Sequence, residues 1–236
     1  MKDLPLAGST APKPLFEEMG LPPATYFLLR RLHSLAGVVP IGAFLLAHLY
    51  TNAYSWRPKA FNAHVKDLNE LPGILLIEWF TVILPIAFHG ILGLFMTSRM
   101  EFNQPRYGNF RNWMYVLQRV TGAIVFLFIL FHLVQFRFGM AERFKDTELP
   151  RYAPWDAIHD VLRGVWVPVY VLGIVCTSFH FANGLWSFAV TWGLARGERT
   201  QRTLTAITLS IFVALSAFGL YALGGFLTAA AGSGPP

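Results

Sequence analysis

The sequence predicts an all-α membrane protein, a single bundle of five transmembrane helices, and three observations carry that prediction. Apolar residues make up 54% of the 236-residue chain. Only 14% are charged and the mean hydropathy is +0.46, a balance foreign to a soluble globule. Apolar runs of about 20 residues, the length that crosses a bilayer, recur five times. They fall at about 32–53, 74–97, 113–136, 165–193 and 204–227, inside one domain of residues 26–228.

Before the first run, residues 1–25 carry Lys2, Asp3, Lys13, Glu17 and Glu18 among several prolines. They lack the apolar core of a signal peptide and are expected to form a cytoplasmic segment open to a partner. Pro40, Pro85 and Pro168 can kink the first, second and fourth helices. Gly37, Gly42, Gly90, Gly93, Gly122, Gly173 and Gly184 allow close approach. Between the third and fourth runs, PWDAIHDVLR (154–163) spaces Trp155, Ile158, Val161 and Leu162 like one face of a helix, expected to lie on the outer surface. The end of the chain, 229–236, reads as a flexible tail.

Lys and Arg placement sets the orientation. With the N-terminus cytoplasmic, eleven of the 19 basic residues lie on that side, and the other eight are diluted in longer loops rich in Asp and Glu. The net charge of +6 follows from this topology. Basic residues scattered at helix ends give no stripe for nucleic acid. A single cysteine, Cys176, excludes a disulfide framework, and no C-x-x-C-H motif points to covalent haem.

Four of the seven histidines lie well inside the runs, one on each of the first four: His48, His89, His132 and His180. An ionisable group in hydrocarbon is costly and faces the bundle interior. One such histidine could simply bond a neighbouring helix; four on four helices need more. Counted from the outer landmarks, His48 is nine residues from Arg57 and His132 five from Arg137, whereas His89 is 17 from Pro72 and His180 17 from Arg163. They therefore form an outer pair and an inner pair, separated by about 10 residues or roughly 15 Å of helix. Two imidazoles at one depth can supply both axial ligands of a haem, and two stacked haems would carry electrons across the bilayer. Zinc or copper is the competing use, but would gather its ligands at a single depth.

Residues 11 apart share a helix face. Gly37, 11 before His48, would let the first helix pass close to the inner haem. Glu78, 11 before His89, would stand level with the outer haem, where a quinone exchanging protons needs a carboxylate. Arg31, His33 and Ser34 at the inner edge, with Arg119 deeper on the third helix, are expected to meet haem propionates. His64 and His159 are expected to be solvated.

The stretches RRLHSLAG (30–37), AHLYTN (47–52), RNWMYVLQRVTG (111–122), LFHL (130–133) and FHFANGLWSFAVTWG (179–193) resemble the five-helix dihaem cytochrome b anchors of succinate:quinone oxidoreductases, over about residues 28–222. The resemblance implies that His89 and His180 hold the haem b proximal to cytoplasmic partners, and His48 and His132 the distal one. It also implies a flavoprotein with FAD and an iron-sulfur subunit on the cytoplasmic side. The quinone, often menaquinone in this branch, would bind near the outer haem, and the protein would span a bacterial inner membrane many times, in contact with lipid. The expected function is electron transfer between succinate or fumarate chemistry in the partners and the quinone. Two alternatives stand beside it: the anchor of another respiratory dehydrogenase, and a haem or metal transporter with intramembrane histidine sites.

Overall fold

A computed structural model describes residues 20–99, 108–139 and 154–228. Five helical spans, each long and apolar enough to cross a membrane, run Pro23–Trp56, Ile74–Thr97, Phe110–Phe138, Trp166–Thr191 and Glu198–Thr228. Residues 1–19 and 229–236, which hold most of the expected N-terminal segment and the whole tail, lie outside the described residues. The first span begins nine residues before its apolar run, because Pro22 and Pro23 open a helix that carries Arg30 and Arg31 within it.

The first four spans close a ring: first on second, second on third, third on fourth and fourth on first. The fifth lies outside this ring, along the fourth and one end of the first. Lipid tails give helices no hydrophobic reason to associate, so close packing of small residues does that work. Gly173, Cys176 and Ala182 are buried on the fourth span, and Gly219, Ala222 and Gly225 on the fifth. Leu76, Phe80, Ile91, Leu127 and Val213 stay more than 60% exposed and form the surface available to lipid.

Proline acts at two of its three expected places. The first span breaks at Val39 into helices Pro23–Val38 and Pro40–Asn52, because Pro40 has no N–H to donate. In the second span Pro85 follows a π-turn, Trp79–Ile83, in which the Leu84 N–H reaches back five residues to the Trp79 carbonyl. The wide turn accommodates the proline ring and missing donor. Pro168 causes no kink, contrary to expectation. It falls in the first turn of the fourth span, where a helix leaves its N–H groups unpaired anyway.

A cap of two short helices, Pro58–Asn69 and Pro154–Val161, closes the face where the first span ends. The second has the predicted amphipathic pattern, and its apolar face packs against the protein. Trp155, Val161 and Leu162 are buried, and Trp155 and Leu162 share a core with Phe61, Tyr170, Leu223 and Phe226. Trp155 Nε1 donates to the Ser55 carbonyl at 2.7 Å, and Ser55 Oγ donates to the Ala222 carbonyl at 2.7 Å. His159, expected in solvent, stacks on Trp155 and donates from Nδ1 to the Phe226 carbonyl at 2.6 Å. His64 likewise stacks on Tyr54, with ring centroids 5.1 Å apart. Both are half-buried rather than fully solvated, and the Phe226 acceptor of His159 comes from a distant part of the chain.

Candidate functional site: two imidazole pairs

Inside the ring the four histidines meet two by two. His89 and His180 face each other nearer the N-terminal face, with ring centroids 6.1 Å apart and planes at 89°. His48 and His132 meet nearer the opposite face, at 5.7 Å and 88°. Each pair joins non-consecutive spans, the second to the fourth and the first to the third, so the site exists only once the bundle closes.

Hydrogen bonds fix which nitrogen each ring can offer. His89 Nδ1 lies 2.8 Å from the His33 carbonyl, and His180 Nδ1 lies 3.0 Å from the Gln118 carbonyl. A carbonyl only accepts, so both rings carry their proton on Nδ1 and keep Nε2 as a bare lone pair. Gln118 holds the fourth span further: its Nε2 donates to the His180 carbonyl at 3.1 Å, and its Oε1 accepts from Asn183 at 2.8 Å. On the other layer His132 Nδ1 lies 3.2 Å from the Tyr170 hydroxyl.

These rings fit a haem. A histidine nitrogen lies about 2.0–2.1 Å from a bound transition metal, so two rings on opposite sides of one ion have centroids roughly 6 Å apart. Both pairs stand near that separation. Two glycines make room for the inner rings: a Cβ on Gly37 would come within 2.5 Å of His89 Cε1, and one on Gly122 within 2.7 Å of His180 Cε1. Gly37 therefore lies against an imidazole of the pair it was expected to approach.

Three buried nitrogens near the inner end of the ring have no hydrogen-bond partner: Arg31 Nε, His33 Nε2 and Arg119 Nε. Each such group costs on the order of 1–3 kcal/mol unless something accepts from it, and a carboxylate is the natural acceptor for arginine. The Arg31 guanidinium lies 4.6 Å from the Trp192 ring, that of Arg119 lies 3.7 Å from the Tyr115 ring, and the His33 ring stacks 4.0 Å from His89. Ser34 is differently employed: it donates to the Arg31 carbonyl at 2.9 Å and accepts from Trp192 Nε1 at 3.1 Å, ordering its neighbours.

Glu78 is bound by Arg137, whose Nε and terminal nitrogen reach its two carboxylate oxygens at 2.6 and 3.0 Å. Glu78 borders the π-turn Trp79–Ile83 on the second span, and Arg137 lies within the π-turn Leu133–Phe138 on the third. A π-turn winds less per residue than an α-turn, so an 11-residue count across it no longer fixes the face of Glu78 relative to His89. Among the described residues no group of three or more His, Cys, Asp or Glu side chains could hold a metal.

The family model for the succinate dehydrogenase/fumarate reductase transmembrane subunit matches residues 103–219, which include His132 and His180. The succinate dehydrogenase cytochrome b558 subunit of Bacillus subtilis (strain 168) is 39% identical over 203 residues, covering 85% of this chain and 97% of the relative. The chain belongs to the succinate dehydrogenase/fumarate reductase membrane cytochrome b subunits. Members of this family are multi-pass membrane parts of an oxidoreductase complex, in accord with the five spans.

For an anchor of this family, Gly122 was legible only as a glycine allowing close approach, and Gln118 and Tyr170 were not singled out. Gly122 had a signal, lying ten residues before His132 much as Gly37 lies 11 before His48. Gln118 and Tyr170 had none of that kind, since a single glutamine or tyrosine on an apolar helix reads as packing until its partner is known. Arg137, counted as a marker of the outer edge, is instead the partner of Glu78.

Proposed function

We propose that the chain is a dihaem b anchor, carrying electrons between an iron-sulfur subunit and a membrane quinone in a succinate:quinone oxidoreductase. The observation that carries this reading is the meeting of four imidazoles in two layers at haem-like separations, with Nε2 free on the inner pair. His89 and His180 would hold one haem, and His48 and His132 the other. Bound haem supplies a one-electron iron couple in each layer. The side chains hold it: Arg31, His33 and Arg119 offer their unpartnered donors to propionates, Ser34 orders Arg31, and Gly37 and Gly122 admit the rings.

The N-terminal face is cytoplasmic in this reading, following the basic residues near it. There the flavoprotein with FAD and the iron-sulfur subunit dock, and no residue of this chain handles succinate. The membrane is the bacterial inner membrane. The quinone, menaquinone by the family resemblance, binds near the His48–His132 layer, where Glu78 takes or gives its protons and Arg137 holds the carboxylate in place.

The test is made on the assembled complex carrying His89→Ala. Reduction of a menaquinone analogue by succinate is expected to be lost, while a water-soluble dye that takes electrons directly from the partner subunits is still reduced. Undiminished quinone reduction would contradict the assignment.

A further inference from the structure

The two layers hold their imidazoles by different means. In the inner layer the acceptors are backbone carbonyls of His33 and Gln118, which no substitution removes. In the outer layer the partner of His132 is a side chain. The Tyr170 hydroxyl lies 3.2 Å from His132 Nδ1 and donates its own proton to Gln135 Oε1 at 2.6 Å. A hydroxyl whose proton is committed to an amide oxygen presents only lone pairs to its other neighbour, so His132 must donate from Nδ1 and leave Nε2 bare.

The site is built for this. Tyr170 is 6% exposed, and its ring meets those of Phe128, Phe131, Phe136 and His132. Water cannot readily replace the hydroxyl in such surroundings. Gln135 stands three residues after His132, in the π-turn Leu133–Phe138 that widens the third span there. Local π-turns of this sort gather at functional positions.

We propose that Tyr170 is a positioning residue for His132, fixing its tautomer and ring direction and, through Gln135, tuning the iron held between His48 and His132. This rests on the reading of that pair as haem ligands. Donation from Nδ1 to an oxygen makes the imidazole a stronger ligand and favours ferric iron; without it, ferrous iron gains.

The experiment is a redox titration of the haem absorbance in the purified complex. Tyr170→Phe is expected to retain both haems and to change the ferric-to-ferrous preference of the outer one about tenfold, a rise of about 59 mV for one electron. Gln135→Leu should move it the same way by less, and the inner haem should stay put in both. An unmoved outer haem in Tyr170→Phe, or equal displacement of both haems, overturns the proposal. If Tyr170→Phe loses the outer haem, Gln135→Leu decides: a rise supports the role and no shift overturns it. A wild-type complex with a single haem, or His132→Ala retaining two, would instead sink the ligand assignment beneath it.

Discussion

At the scale of single residues, Glu78 is defined by its partner. A bidentate arginine holds a carboxylate in one plane. With the Glu78 side chain only 23% exposed, the pair is partly shielded from solvent. A general acid or base placed in reach of its substrate commonly contributes roughly 10²-fold or more. Glu78→Gln should therefore slow succinate-dependent quinone reduction by about that factor, with dye reduction and both haems intact; an unchanged quinone rate would remove Glu78 from the proton path. The histidine pairing was legible because depth is counted along a chain of known rise, and the rings that the count brings together are the rings that meet. The face of Glu78 was not, because the count assumes an unbroken α-helix and Trp79–Ile83 is a π-turn.

Among the elements, the cap has a structural part that the sequence only half revealed. Its amphipathic spacing could be read from Trp155, Ile158, Val161 and Leu162, but the surface receiving them could not. That surface is assembled from Phe61, Tyr170, Leu223 and Phe226, which lie on three other elements. Through Trp155, Ser55 and Ala222 the cap ties the end of the first span to the fifth. At Gly225 a Cβ would stand 2.7 Å from the Trp56 backbone nitrogen, so the spans touch nearly backbone to backbone. Trp155 is fully buried, and truncating a buried Trp costs about 3–5 kcal/mol. Trp155→Ala should lower the thermal midpoint of the purified complex and release the outer haem before the inner one, since Tyr170 shares its core. Loss of both haems together, or an unaltered midpoint, would separate the cap from the site.

For the whole molecule, the arrangement of spans matches the placement of the four paired histidines. Each of the first four spans carries one of these paired histidines and joins the ring, while the fifth carries no histidine and packs outside it. The all-helical class and its five spans were legible, since apolar runs of bilayer length announce helices whatever their partners. The ring order was not, because it depends on which small residues meet. The central claim is that each layer of the ring holds its own haem. Its most direct test is the haem content and reduced-minus-oxidised spectrum of the purified protein beside His48→Ala and His89→Ala. The account predicts two b haems per chain, with each variant losing a different one. One haem or none, or a spectrum that neither variant alters, would contradict it.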